Sequence, residues 1–334
     1  MPKRLTVATS ETHRQTLNRT PKLPQRLRLR RILKSNSHTS PNPLGPIYLV
    51  GPTGVGKSSL ACALAQQIGA EVIGADAFQL YSGLTVLTAQ PTLEEQARVR
   101  HHLVGCIPIT QSFDAANYHQ LASFAMNEIQ SRGAVPMVVG GTGLYVRALI
   151  AGLSATPPAD MPLRETLAKL DLPALVERLG RTDPAAPALV DLQNRRRVER
   201  AIEICETSGR PLSEFRGREL PHATGILLTR DRADLHARIA GNVSKMFDAG
   251  VVDEVEAARN AGPTARKAIG FREICGLLDG EISEPECRAK IVIATRQYAR
   301  RQMTWFRHQT RFREIDLTTN PTLRQILDAL QQAP

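Results

Sequence analysis

The sequence lacks the patterns that mark several large protein classes. Its five cysteines, Cys62, Cys106, Cys205, Cys275 and Cys287, contain no C-x-x-C pair and no zinc-finger spacing. An odd, dispersed set argues for a reducing compartment and against a structural zinc site. Nowhere do about eighteen apolar residues run together, the length a membrane-spanning helix requires. The first 46 residues also lack an apolar stretch long enough for a secretory signal. A soluble, cytoplasmic chain with no membrane partner is expected.

Beyond residue 46 the chain is also short of net charge. The formal charge is +11, but residues 1–46 hold ten Lys/Arg against one acid, Glu11, which leaves the remainder near +2. A globally basic balance would point to nucleic acid; here most of it belongs to an N-terminal arm. That arm is rich in Arg, Ser, Thr and Pro, and three readings stay open: an organelle transit peptide, a disordered arm that adds phosphate contacts, or an over-extended start.

What is present is enough for roughly two domains: 334 residues, 42% of them hydrophobic. The organising stretch is IYLVGPTGVGKSSLACALA, residues 47–65. Within it GPTGVGKS (Gly51, Pro52, Thr53, Gly54, Val55, Gly56, Lys57, Ser58) fits G-x-x-x-x-G-K-[ST] without substitution, between a strand-like run and a helix-like one. The glycines let successive backbone N–H groups turn towards an anion, and the following helix aims its positive end at the same point. Lys57 is expected to hold phosphate oxygens and the Ser58 hydroxyl to sit on Mg²⁺. The motif specifies a phosphate chain without saying which molecule carries it.

Two further strand-like runs end in chemistry. EVIGAD (71–76) closes on Asp76, and AVPMVV (134–139) runs into GGTGLY (140–145). In parallel sheets functional groups gather at the carboxyl ends of strands, so both sites fall beside the phosphate loop. Asp76 reads as a base, or equally as a Mg²⁺-water ligand or helix cap. Residues 77–92 read as a substrate-facing loop with an embedded aromatic, Tyr81. Leu93 to His102 looks helical and ends in paired histidines, taken as surface or capping residues because no third metal ligand is suitably spaced.

Repeated strand–loop–helix units predict an α/β fold: a phosphate-loop NTPase-like, doubly wound parallel sheet core (47–154, resumed at 216–316 with C-terminal helices). Proline-punctuated helical runs predict an inserted all-helical module at 155–215, and 317–334 is left as a tail. GILLT (225–229) returns to strand character, and Asp231 can cap a helix whose Leu235, Ile239, Val243, Met246 and Phe247 share one face. Arg232 and Arg238 oppose the dipole of that helix, which suits either a nearby anion or a solvated surface. Further on, Arg296, Arg300, Arg307 and Arg311 recur near one helical stripe among Tyr298, Trp305 and Phe306, a pattern for a phosphate backbone or an unstacked base, or for a solvated basic face.

Taken together, GPTGVGKS, DAFQLY (76–81), GGTGLY (140–145), NRRRVERAIE (194–203), AIGFR (268–272) and TRQYARRQMTWFR (295–307) resemble, in order and spacing, the tRNA dimethylallyltransferases, also called tRNA isopentenyltransferases. The resemblance covers Ile47 to Phe312. It implies an enzyme that prenylates N6 of the adenosine 3′ to the tRNA anticodon, using dimethylallyl diphosphate and Mg²⁺, as a monomer. It further implies Asp76 as general base, Thr142 as its partner near the adenine, and Lys57, Arg232 and Arg238 around the diphosphate. For tRNA it implies Asp76, Ala77, Phe78, Gln79, Thr142, Arg164, Arg196, Arg197, Arg200, Ile269, Gly270, Phe271 and Arg272. The chain departs from the family pattern at Ala77-Phe78, where Ser-Arg is frequent, at Gln90 in place of a lysine and at Asn242 in place of an arginine. Three rivals remain: a phosphate-loop kinase, a non-catalytic RNA-binding protein, and a prenyltransferase for free adenine nucleotides. The Arg195 to Arg200 run and the inserted module favour tRNA over a mononucleotide.

Overall fold

The computed structural model describes residues 45–153, 156–215 and 220–332; the arm expected at 1–46 lies almost wholly outside them. The described residues fall within one compact unit, Ser40–Pro334. No helix among them is long and apolar enough to cross a membrane.

The first half of the core runs β1 (Ile47–Val50), α1 (Lys57–Ile68), β2 (Ala70–Ala75), α2 (Leu93–Arg98), β3 (His101–His102), α3 (Ala115–Ser131), β4 (Val135–Gly140) and α4 (Gly143–Ala151). The helical insertion follows as α5 (Met161–Ala168), α6 (Leu172–Thr182) and α7 (Arg195–Ser208). The core then resumes with β5 (Gly225–Thr229), α8 (Arg232–Asp248), α9 (Val251–Ala257), α10 (Phe271–Leu278), α11 (Glu284–Gln309), β6 (Arg313–Asp316) and α12 (Leu323–Gln331).

The strands form one parallel sheet in the order β3-β2-β4-β1-β5-β6. Successive residues of a strand face opposite sides, and β1 uses both. Ile47 and Leu49 join an apolar cluster with α1 and α12, whereas Tyr48 and Val50 join another with α3, α4 and α10. Each such buried side chain contributes about 1.5–3 kcal/mol. Because β1 lies between β4 and β5, connections leave it in both directions, and the carboxyl ends of β1, β2, β4 and β5 open on a single crevice. The doubly wound core is thus as expected.

Three local expectations change. The helix expected over Leu93 to His102 stops at Arg98: Thr92 and Glu95 form its capping box, and Val99 is already extended and buried. His101 and His102 then pair with Val72 and Ile73 as an edge strand. His102 Nε2 lies 2.6 Å from Glu71, which Arg132 also meets at 2.9 Å, so this histidine fastens the sheet edge instead of capping a helix. Tyr81 is fully buried in the core, since the chain after β2 turns inward and bridges Ile107. The segment left as a tail contains α12, whose Ile326, Ala329 and Leu330 pack beside α1.

The helical module has an apolar cluster of its own, built from Leu167, Leu175, Leu179, Ala186, Val198, Ala201 and Ile202. Its helices start on Asp160, Asp171 and Asn194, each accepting a backbone N–H within the first turn. Glu203 is only 1% exposed inside it. It accepts two bonds from Arg164 (2.8 and 2.9 Å), one from the Asp160 N–H (2.7 Å) and one from Arg200, whose guanidinium also reaches the Pro157 carbonyl (2.7 Å). Arg164 and Arg200, expected on RNA, are therefore first of all internal partners of a buried carboxylate. Removing both arginines strands that charge, which costs about 3–5 kcal/mol. The double substitution Arg164→Ala/Arg200→Ala is expected to lower the denaturant midpoint and the hydrogen-exchange protection of α5 and α7. An unchanged melting curve would return both residues to a purely RNA-binding role.

Candidate active site

Four strand ends build the site. After β1 the chain enters the phosphate loop, where Gly54 (φ +81°) and Gly56 (φ +107°) take left-handed conformations that side-chain-bearing residues avoid. Gly56 is also the N-cap of α1, so the loop ends at a helix N-terminus. Lys57 folds back over the loop, donating to the Gly51 carbonyl (3.0 Å) and the Pro52 carbonyl (2.8 Å). Burial lowers its ammonium to about 8, against a partial opposing pull from the Asp76 carboxylate. Ser58 follows on the first turn of α1.

The end of β5 adds Arg230, which no motif in the sequence marks. Arg230 Nε donates to the Val55 carbonyl (2.8 Å) and its Nη1 meets Asp234 (2.6 Å), so the guanidinium is locked against the loop. Arg238, one helical face further along α8, donates to the Gly54 carbonyl (3.0 Å). Arg232 is exposed at the first position of α8 and is not among the described groups bonded to the loop. Arg230 thus joins Arg238 against the loop, with Arg232 exposed at the helix start beside them. The signal for Arg230 was available, because it sits at a strand's carboxyl end just as Asp76 does.

Asp76 leaves β2 beside the loop. Its Oδ1 accepts the Phe78 N–H (3.0 Å) and the Gln79 N–H (3.4 Å), which fixes the carboxylate at the head of a turn. Thr142, at the end of β4, donates its N–H to Ala75 O (3.0 Å) and accepts the Ala77 N–H on Oγ1 (3.0 Å). Two backbone-anchored bonds therefore hold Thr142 against the Asp76 turn. The strands come close enough there that a Cβ on Gly140 would fall 2.2 Å from Ala75 O. Tyr298 of α11 sits beside Asp76, Thr142 and Gln302; burial, with the Asp76 charge second, pushes its phenol up to about 12.

Between the loop and Asp76 lies a cavity of about 130 Å³, walled by Thr53, Gly54, Phe78, Leu87, Ile239, Val243, Met246, Ile269, Ile291 and Tyr298, with Asn242 and Thr295 at its lining. Apart from Asp76 its walls are mostly apolar. Glu254 braces the covering loop by accepting the N–H groups of Val86 (2.9 Å) and Leu87 (2.8 Å). Gln79 and Gln90 brace the loop's other end through backbone carbonyls, Gln79 to Thr88 and Ala89, Gln90 to Gln79 and Tyr81.

The AIGFR segment divides three ways. Ile269 lines the cavity, Gly270 turns in the left-handed region (φ +95°), and Phe271 is 2% exposed in the core. The Phe271 ring packs in the core, since the turn at Gly270 directs it inward; Arg272, with its side chain 92% exposed, faces solvent. Ala77 and Phe78 are half-buried beside Asp76, and Arg196 and Arg197 are exposed on α7. The arginine stripe is shorter than expected: α11 ends at Gln309, before Arg311, and Arg307 is paired with Glu314 (2.9 Å). Among the described residues no group of three His, Cys, Asp or Glu could hold a metal ion. Ser58 beside a bound phosphate chain suits Mg²⁺, which keeps few protein ligands and takes its other oxygens from phosphate and water.

The fold and site together define a phosphate-loop enzyme in which an anion subsite, an apolar cavity and a carboxylate adjoin one another. The IPP transferase family model matches residues 79–309, and an AAA ATPase model matches 47–110, the phosphate-loop region. The chain is 37% identical over 288 residues to a tRNA dimethylallyltransferase of Akkermansia muciniphila, covering 86% of this chain and 98% of that one. It is 40% identical over 289 residues to one from Geobacter sulfurreducens, covering 82% and 92%. The crystal structure of a tRNA isopentenylpyrophosphate transferase from Bacillus halodurans superimposes with a TM-score of 0.64 at 33% identity, over 86% of this chain and 94% of that one. The chain belongs to the IPP transferase family.

Proposed function

We propose that this protein transfers a dimethylallyl group from dimethylallyl diphosphate to N6 of the adenosine 3′ to the anticodon, position 37 of tRNA, giving N6-dimethylallyladenosine and diphosphate. The observation that carries this reading is the apolar cavity placed between the phosphate loop and Asp76. A phosphate loop alone suits ATP equally well, but a mostly apolar wall beside it suits a five-carbon tail.

In this reading the diphosphate lies on the loop, against the N-terminus of α1, with Lys57, Arg232 and Arg238 around it and Arg230 beside the loop. The C1–O bond breaks as the N6–C1 bond forms, and the electron pair of the C1–O bond leaves with the diphosphate. An allylic carbon tolerates developing positive charge, so neutralising the departing diphosphate supplies much of the acceleration. Ser58 would help hold Mg²⁺, which when bound would supply further positive charge for the departing diphosphate. The exocyclic amine is a weak nucleophile because its lone pair is delocalised into the ring. Asp76 receives its proton, and the Thr142 loop orients the base. The target base leaves the anticodon stack to reach Asp76. Arg196, Arg197 and Arg272 are exposed and suited to phosphate contacts, with Ala77, Phe78 and Gln79 nearer the base.

The test is incubation of the protein with Mg²⁺, dimethylallyl diphosphate and unmodified tRNA bearing anticodon-loop adenosines, followed by nucleoside mass spectrometry. Adenosine is expected to gain one isoprenyl mass. Hydrolysis or transfer from ATP with no such gain would replace this reading by a kinase.

A further inference from the structure

We propose that Gln302 is a positioning residue that holds the diphosphate loop and the adenosine loop in one fixed geometry. The inference rests on the proposed placing of one substrate on each loop. Gln302 is 5% exposed on α11, and a buried amide is costly unless its hydrogen bonds are made. Both ends of this one are engaged. Its Oε1 accepts the Thr53 N–H at 2.9 Å, inside the phosphate loop, and its Nε2 donates to the Gly141 carbonyl at 2.9 Å, the residue before Thr142.

These two backbone segments leave neighbouring strands. The β1–β4 ladder aligns them only as far as Val50 opposite Gly140, and both site loops lie past that point. A single planar amide therefore continues the alignment where the sheet stops. The surroundings are built around it: a Cβ at Gly141 would fall 2.2 Å from Gln302 Nε2. Tyr298, four residues earlier on α11, is in contact with both the Gln302 and the Thr142 side chains. One rigid helix thus touches the phosphate side and the base side of the crevice.

The consequence lies in the chemistry. Displacement at C1 needs the amine, the carbon and the leaving diphosphate in line, and a misplacement of about 1 Å costs about 10² in rate. Gln302 touches neither reacting atom; it sets the distance between the groups that do.

The test uses the full chain and two variants of similar size. Gln302→Met removes both hydrogen bonds. Gln302→Glu keeps an acceptor for Thr53 and loses the donor to Gly141. Both are compared at equal folded fraction, read by thermal unfolding, for kcat, for KM of tRNA and in combination with Thr142→Ala. The expected result is a fall in kcat of about 10- to 100-fold with KM for tRNA within about twofold of wild type. In the Thr142→Ala background the same change costs less than it does in wild type, so that the double variant loses less than the product of the single effects, because Gln302 acts through the Thr142 loop. A kcat within about threefold of wild type in both variants, or a strictly multiplicative combination with Thr142→Ala, overturns the proposal. Wild-type prenylation in the same assay reports separately on the functional reading, so its failure is distinguishable from that of Gln302.

Discussion

Asp76→Asn is expected to lower single-turnover prenylation by about 10² to 10⁴, the range for loss of a general base, with little change in the affinity for either substrate. Asparagine is the informative replacement because the Asp76 Oδ1 has a second duty, accepting the Phe78 and Gln79 N–H groups at the head of the turn. An amide oxygen keeps those bonds and the turn, yet cannot take up the N6 proton. Alanine would release the turn as well and blur the comparison. Rapid-quench measurements with saturating tRNA and dimethylallyl diphosphate separate the chemical step from binding. A turnover equal to wild type would remove Asp76 from the mechanism and leave it as a structural cap.

For Lys57 the expected loss is carried by the leaving group. Lys57→Met removes the loop's one ammonium and is expected to reduce kcat/KM for dimethylallyl diphosphate by about 10² to 10³, comparable with loss of one preorganised charge-stabilising group. The wild-type enzyme adds a signature in pH. Burial lowers the Lys57 ammonium to about 8, so the cation predominates below that pH and is lost above it. Because kcat/KM reports the free enzyme, it is expected to fall as pH rises through about 8. A bound diphosphate favours the cation, which moves the corresponding limb in kcat to higher pH. Lys57→Arg, whose guanidinium stays charged across the range, is expected to lack the limb. A pH-independent kcat/KM between pH 6.5 and 9.5 in wild type would show that Lys57 does not supply the charge.

How much of this was legible in the sequence depended on how far apart the interacting residues lie. The phosphate loop is a local pattern, bounded by its own strand and helix, and eight consecutive residues declare it. The places of Asp76 and of the glycines after AVPMVV were legible by a second rule, that strand ends face the crevice, while Thr142 itself came with the resemblance; applied to GILLT the rule would also have found Arg230. The resemblance implies Arg164 and Arg200 as RNA contacts, and a matched motif shows arginines but not what they meet. Their partner, Glu203, lies 39 residues from Arg164. Gln302 stands inside the TRQYARRQMTWFR motif, which gives no sign of its partners, 249 and 161 residues away, because only the folded sheet brings them to α11. Phe271 sat inside a recognisable motif, yet the left-handed turn at Gly270 decides its direction, and that turn is a property of the packed state.

The private core of the helical insertion has a consequence for inheritance. Leu167, Leu175, Leu179, Val198 and Ile202 pack on one another and on no residue of the two clusters that flank the sheet. Substitutions among them leave the packing around Asp76 and Lys57 alone. A lineage can therefore lengthen, shorten or recharge this appendage while the packing that surrounds the crevice passes on unaltered.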